Sequence, residues 1–250
     1  MPNLRFAAPV EPRVAIITGG GQGIGRAAAL RLAEAGRDIV IADIAPETAE
    51  TVRAVEALGR RALWQAVDVT DPAAVQGLVA AALAAFGRLD ILVCCAGVLG
   101  RELAFLDLPL EEFERVLRVN VFGVFHAHQA VIPAMLKQGW GRCVTIGSGA
   151  RHGAALRLPY SVSKGAVHSL IASLGAAYAG QGVFVNGIEP GRVLTNMVVP
   201  RFSAEFLANP GVPVGRYADP DEIAEAIEYL TSERNTYTSG VFWEVQNTPR

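Results

Sequence analysis

The chain predicts a doubly wound α/β domain, a parallel sheet with helices on both faces. Seven short runs are apolar along their whole length and alternate with longer segments of helical period. A glycine-rich turn stands where the first such run gives way to the first helical segment. A strand that is apolar on both sides needs both faces dry, and a parallel sheet between two helical layers supplies that.

In chain order the predicted strands are RVAIITG (13–19), RDIVIAD (37–43), RALWQAVDV (61–69), LDILVCCAG (89–97), GRCVTIG (141–147), GVFVNGIEP (182–190) and GVFWEV (240–245). Each is a run of β-branched and apolar residues of strand length. Between them the helical candidates are 24–36, 47–59, 73–87, 110–136, 160–180 and 219–230, rich in Ala and Leu with charges at helical spacing. Pro159 suits the first turn of the fifth helix, where its missing N–H costs nothing. The segment 192–217 escapes the alternation and is expected to form a lid or binding loop. Residues 1–12 read as a loose extension, so the expected organisation is one domain over 13–250.

Composition narrows the function. Hydrophobic residues make up 51% and charged residues 18%, too apolar for disorder, while Arg, Asp or Glu breaks the apolar runs before bilayer length. Net charge is -2 and no stripe of Lys and Arg follows a helix or strand, which argues against nucleic acid as a partner. The start MPNLRFAAPVEPR has no signal-peptide pattern, so a cytoplasmic location is expected. Cys94, Cys95 and Cys143 sit inside apolar runs without metal-ligand spacing; they read as small buried hydrophobes, and no metal site is expected.

The turn GGGQGIG joins a strand to a helix N-terminus, whose backbone N–H groups lack intrahelical partners and can receive a pyrophosphate. Asp43 ends the next strand 18 residues beyond Gly25 and can accept hydrogen bonds from ribose hydroxyls. A 2′-phosphate would meet like charge there, and neither Gln22 nor Ile44 is basic, so NAD is favoured over NADP. Asp43 could instead cap the following helix, with Pro46 in its first turn. The chain has two lysines, and one of them, Lys164, stands four residues after Tyr160, on the same helix face.

Together these residues resemble the short-chain dehydrogenase/reductase family in its compact, single-domain, Rossmann-like branch. The likeness runs from about Arg13 to about Val245, with the markers in the family's order. Thr18, Gly19, Gly23 and Gly25 match the glycine turn, within which Gln22 and Ile24 are expected cofactor neighbours. Asp68 and Val69 look like the pair that holds the adenine ring, and Ala96 and Gly97 like the close-approach pair after the fourth strand. Pro190, Gly191, Val193 and Thr195 are similar to the segment that grips the nicotinamide carboxamide. Asn120, Ser148, Tyr160 and Lys164 match the catalytic tetrad. The chain departs from the family at Cys94 and Cys95, where relatives commonly carry two asparagines, and at its C-terminal QNTPR.

The resemblance implies reversible hydride transfer between a secondary alcohol and NAD. Tyr160 would move the hydroxyl proton, Ser148 would orient the same oxygen, Lys164 would also bind the nicotinamide ribose, and Asn120 would hold a water leading to solvent. An ammonium ~4 Å from a phenol favours its phenolate by roughly 4 kcal/mol at an effective dielectric near 20, which explains the lysine's spacing. In the loop after Ser148, Arg151, His152 and Arg157 suit an anionic or polyhydroxylated substrate, whereas Ala154, Leu156 and Leu158 suit an apolar one. Val98, Leu99, Val193 and Met197 are expected to add apolar lining, and His126, His128 and His168 to lie at the surface or an interface. The leaning is toward a sugar, polyol, cyclic alcohol or steroid-like substrate. Small residues on the tyrosine helix (Ala166, Ser169, Ala172, Ser173, Ala176) suggest a homodimer or homotetramer. The alternatives are an NADP-dependent ketone or 3-oxoacyl reductase of the same family, a longer-branch epimerase or dehydratase, and a non-catalytic NAD(P)-binding regulator.

Overall fold

The computed structural model describes residues 12–199, 205, 207 and 211–246. The N-terminal extension, most of the middle of the predicted lid and the last four residues of the C-terminal tail lie outside them. Seven strands form one parallel sheet: β1 (Val14–Thr18), β2 (Asp38–Ala42), β3 (Ala62–Gln65), β4 (Ile91–Cys94), β5 (Gly141–Ile146), β6 (Val183–Pro190) and β7 (Phe242–Val245). Their order is β3-β2-β1-β4-β5-β6-β7. This is the Rossmann-like arrangement expected from the alternation, in a single domain.

The helices are α1 (Gly23–Glu34), α2 (Thr48–Ala57), α3 (Pro72–Phe86), α4 (Leu110–Leu117), α5 (Gly123–Gln138), α6 (Leu158–Tyr178) and α7 (Pro220–Thr231). Two apolar clusters lie on opposite faces of the sheet. Ile16, Val40 and Leu92 point to one, among α3, α5 and α6 residues; their chain neighbours Ile17, Ile41 and Val93 point to the other, with α1 and α7 residues. Strand residues on both faces are buried, and full burial is worth about 1.5–3 kcal/mol for each such side chain. The continuous apolar strands follow from that, because neither face meets water.

Local signals set several boundaries. Asp71 accepts hydrogen bonds from the Ala73 and Ala74 N–H groups to open α3, and Gly87, with φ 75°, closes it. Asp219 and Glu222 form a capping box at the start of α7. The sheet edge β3 stops at Gln65, four residues before the end of its apolar run, and Val67 and Val69 are buried in the loop instead.

The predicted helix 110–136 is continuous from Leu110 to Gln138 but contains a π turn, Arg118–Phe122, in which Gly123 N–H reaches back to the Arg118 carbonyl. Asn120 sits in that turn, a local irregularity frequent at functional sites. By length and composition this helix could cross a bilayer, contrary to the expected interruption of every apolar run. Val124, Ala127, Val131 and Met135 on its inner face are nonetheless buried against the sheet, and its apolar character is that of a core helix.

Candidate active site

Strand order reverses around β1, and a crevice opens beyond the carboxyl ends of the strands on either side, where this topology places ligand sites. A cavity of about 830 Å³ occupies it. One end is built from backbone. Gly19 has φ 70°, and a Cβ there would stand 2.6 Å from the Ala96 nitrogen. A Cβ on Gly25 would stand 2.0 Å from the Gly19 carbonyl oxygen. The turn therefore lies flat on the end of β4 and on the first turn of α1, leaving helix N–H groups at the cavity wall. This cradle fits a dinucleotide pyrophosphate.

Asp43 completes this end. Its carboxylate accepts from Gly21 N–H at 2.8 Å and Ala45 N–H at 3.0 Å, bracing the glycine turn against the end of β2. It does not cap α2, which starts at Thr48 with no side-chain cap. Ile44 is 71% exposed and lines the cavity beside it. Asp68 is exposed and accepts from Thr70 N–H at 2.9 Å, and the next residue, Val69, is buried. No cationic side chain among the described residues lines the cavity near Asp43 and Asp68.

The opposite end is built from side chains. Ser148 leaves β5 and accepts from Ala150 N–H at 3.2 Å, so its hydroxyl hydrogen remains available to a ligand. Tyr160 lies in the first turn of α6, half-buried. Lys164, one turn later, is buried and donates to the Ile146 carbonyl at 2.7 Å; its Nζ lies 5.5 Å from the centre of the Tyr160 ring. One of three ammonium donors is thus committed to β5, which holds the charge beside the phenol.

Of the predicted tetrad and cofactor-binding residues, all but Asn120 line this cavity: Gly19, Gln22, Gly23, Ile24, Gly25, Asp43, Ile44, Asp68, Val69, Ala96, Gly97, Ser148, Tyr160, Lys164, Pro190, Gly191, Val193 and Thr195. Asn120 stands behind the wall, 1% exposed. Its Oδ1 accepts from Val98 N–H at 2.8 Å, and its Nδ2 donates to the Val98 carbonyl at 2.9 Å and to Ser163 Oγ at 3.0 Å. Ser163 in turn donates to the Tyr160 carbonyl at 2.7 Å. The amide ties the Gly97–Leu99 loop to the first turn of the tyrosine helix, and both its amide hydrogens are engaged.

The described start of the lid is drawn onto the cofactor end. Asn196 donates to Gln22 Oε1 at 3.0 Å, and Thr195 lies beside Gly23. A short parallel bridge between Val193 and Ala218 pins the two ends of the lid together. Val98, Leu99, Val193 and Met197 line the cavity as expected.

Other expectations fail. Arg151 turns away to pair with buried Glu189 at 2.5 Å, and neither it nor His152 lines the cavity. Ala154, Leu156 and Leu158 are also absent from its wall. His128 is not a surface group: it is 1% exposed, bonds through Nδ1 to the Val124 carbonyl, and is pushed down to about 4 by burial. His168 stacks on Phe242, 4.5 Å between ring centres, and burial lowers its pKa.

Cys94 and Cys143 are buried free thiols; burial pushes Cys94 up to about 12 and raises Cys143 as well. Half-buried Cys95 lines the cavity and is raised by the same cause. Neutral thiols there pack without adding charge. Arg115 and Tyr217 also line the cavity and were not singled out from the sequence. Arg115 lies on the amphipathic helix α4, where an arginine three residues after a glutamate looks like an ordinary surface pair.

A family model described as short chain dehydrogenase matches residues 13–205, and the chain belongs to the short-chain dehydrogenase/reductase family. It is similar to cis-4-hydroxycyclohexanecarboxylate dehydrogenase of Sinomonas cyclohexanicum, 36% identical over 237 residues covering 93% of this chain and 94% of that one. It is also similar to L-rhamnose 1-dehydrogenase (NAD(P)(+)) of Sphingomonas sp. strain SKA58, 34% identical, covering 92% and 93%. Among solved structures it matches an NAD+-bound xylitol dehydrogenase with a TM-score of 0.90 at 31% identity, covering 96% and 100%. The protein is an oxidoreductase acting on CH–OH groups.

Proposed function

We propose that the protein oxidises a secondary alcohol to the ketone, reversibly, with NAD as the partner dinucleotide. One observation carries this reading: a single cavity holds the glycine turn and Asp43 at one end and Ser148, Tyr160 and Lys164 at the other. In it the glycine turn and Gln22, Ile24, Asp43, Ile44, Asp68 and Val69 hold the adenosine and pyrophosphate half. Ala96, Gly97, Pro190, Gly191, Val193 and Thr195 hold the nicotinamide half. When bound there, the dinucleotide would supply the hydride acceptor for alcohol oxidation and the hydride donor for ketone reduction.

Ser148 donates its free hydroxyl hydrogen to the substrate oxygen and fixes it near Tyr160. Tyr160 takes the proton from that oxygen in oxidation and gives it back in reduction. Lys164, anchored on the Ile146 carbonyl, holds its ammonium on the side of α6 that carries the Tyr160 ring. Asn120 serves as a positioning residue, since its amide clamps Val98 and, through Ser163, the turn that carries Tyr160.

NAD is preferred because a 2′-phosphate would approach the Asp43 carboxylate with no cation beside it among the described residues. That one relative is named for NAD(P)(+) makes the NADP-dependent reading worth measuring. The intact tetrad favours the oxidoreductase over the regulator reading. A homo-oligomer, dimer or tetramer, is supported by the exposed small residues Ser169, Ala172, Ser173 and Ala176 on α6, with Phe122 and Phe125 exposed at the α5 end.

Tyr160→Phe tests the mechanism. It should cut turnover by ~10²–10⁴-fold, the span of general acid–base catalysis. Binding of NAD, followed by fluorescence quenching, should stay within about twofold. Undiminished turnover, read at the reduced-nicotinamide absorbance band, removes Tyr160 from the mechanism.

A further inference from the structure

Charge is distributed unevenly along the cavity. Among the described residues, the acidic side chains on its wall are Asp43 and Asp68, both at the cofactor end. The basic ones are Lys164, committed to Ile146, and three arginines: Arg115 on α4, Arg157 at the N-terminus of α6, and Arg192 after β6. The carboxylates that pair with two of these arginines, Glu112 and Glu102, do not line the cavity. Arg115 and Arg157 thus contribute to the wall, while the acids that pair with them do not.

The two pairs differ in how firmly they are held. Glu112 is buried, accepts from Arg101 N–H at 2.7 Å, and is held down to about 2 by Arg115; Arg115 itself is half exposed. Glu102 reaches Arg157 Nε at 2.8 Å, but its side chain is 42% exposed and that of Arg157 30%. A pair this open to water contributes little and exchanges readily for another anion. Arg157 is three residues before Tyr160, and Ser161 N–H bonds to its carbonyl, so its backbone belongs to the turn that carries the tyrosine. Leu103 N–H bonds to the Leu156 carbonyl at 3.0 Å and holds the two loops together.

We infer that the substrate is an organic anion, a hydroxy acid or the corresponding keto acid, whose carboxylate replaces Glu102 on the guanidinium of Arg157. This rests on the oxidoreductase reading above and adds the substrate class to it. The planar, permanently charged guanidinium binds a carboxylate through two parallel N–H bonds, which fixes orientation as well as charge. Apolar Val98, Leu99 and Met197 then pack on the carbon skeleton between the reacting carbon and the acid.

The test uses full-length protein with NAD and matched pairs: 2-, 3- and 4-hydroxycyclohexanecarboxylate, each against its methyl ester. Wild type should favour at least one acid over its ester by tenfold or more in kcat/KM. Arg157→Gln should bring that ratio close to one, with the loss carried by KM, and Arg157→Lys should restore part of it. Glu102→Gln, which leaves the guanidinium without its acid, should lower KM for the acid severalfold; it also serves if Arg157→Gln does not fold. Esters or neutral alcohols used as well as the acids would overturn the inference while leaving the oxidoreductase reading intact, as would equal loss on both in Arg157→Gln. If no compound is turned over, calorimetry on the NAD-loaded protein decides. Binding of cyclohexanecarboxylate over its carboxamide, lost in Arg157→Gln, upholds the inference, and the absence of that preference sinks it.

Discussion

The two ends of the cavity are made of different material. At the cofactor end the wall is backbone: Gly19 lies against Ala96, Gly25 against the Gly19 carbonyl, and one Asp43 carboxylate oxygen accepts from the turn at Gly21 N–H. At the substrate end the wall is side chains on separate elements: Ser148 after β5, Tyr160 on α6, Arg115 on α4 and Met197 in the lid. Backbone packed this closely admits one geometry and hence one class of ligand. Side chains exchange without moving the sheet, so one scaffold can serve many alcohols. This difference accounts for relatives of similar length that are named for a cyclic hydroxy acid and for a sugar.

The sharpest way to break this comparison is a single methyl group at the cofactor end. Gly25→Ala places Cβ within 2.0 Å of a carbonyl oxygen and must displace the turn. Overpacking of this kind costs about 1–3 kcal/mol or more, and dinucleotide affinity should fall at least ~100-fold, equivalent to about 3 kcal/mol. Gly77→Ala is the matched control. Gly77 lies on the exposed face of α3 with nothing within 4 Å, and alanine there should stabilise by about 0.5–1 kcal/mol. Comparable dinucleotide binding in the two variants, measured by calorimetry, would show that the turn is not rigid.

A second measurement separates the scaffold from both ends. His128, inside α5, has a folded pKa of about 4, while an unfolded histidine titrates near 6.5. Above pH 6.5 both states are neutral and the group contributes nothing to the pH dependence. As pH falls from 6.5 toward 4 the unfolded chain binds a proton that the folded protein refuses, and stability drops by about 3 kcal/mol in total. Below pH 4 both states are protonated and the loss levels off. Denaturant midpoints at pH 7, 5.5 and 4 should therefore fall more steeply for wild type than for His128→Leu. Parallel curves would mean that His128 is not held neutral by burial.

The smallest effect sharpens the assignment at the adenosine side. Asp43→Ala combined with Ile44→Arg removes a carboxylate and adds a cation at the cavity wall. The ratio of kcat/KM for NAD to that for NADP should shift toward NADP by about tenfold, worth about 1.4 kcal/mol. An unchanged ratio would place the ribose elsewhere.

Much of the backbone-built half was legible because its signals are local. A glycine turn between a strand and a helix, followed by an acid at the end of the next strand, is a contiguous pattern, and the fold repeats it in space. The inner strands were equally plain, since burial on both faces favours apolar residues along most of their length. The side-chain end was less so. Arg151, His152 and Arg157 stand in one heptapeptide, yet only Arg157 lines the cavity, because Glu189, far along the chain, captures Arg151. His128 looked like a surface histidine because the face of α5 it occupies depends on the π turn just before that helix. Asn120 could be matched to a motif, but its clamp on Val98 and Ser163 joins three elements that the sequence leaves apart.

The chain by itself determined the sheet, its helical layers, the dinucleotide turn and the pairing of Tyr160 with Lys164, because each is written in residues a few positions apart whose backbone geometry follows from steric and hydrophobic rules. Tertiary structure alone decided which arginine lines the cavity, which histidine is buried and how the lid meets the glycine turn. Those outcomes depend on side chains from distant segments competing for the same partner, and the folded geometry, not the spacing along the chain, determines which of them meet.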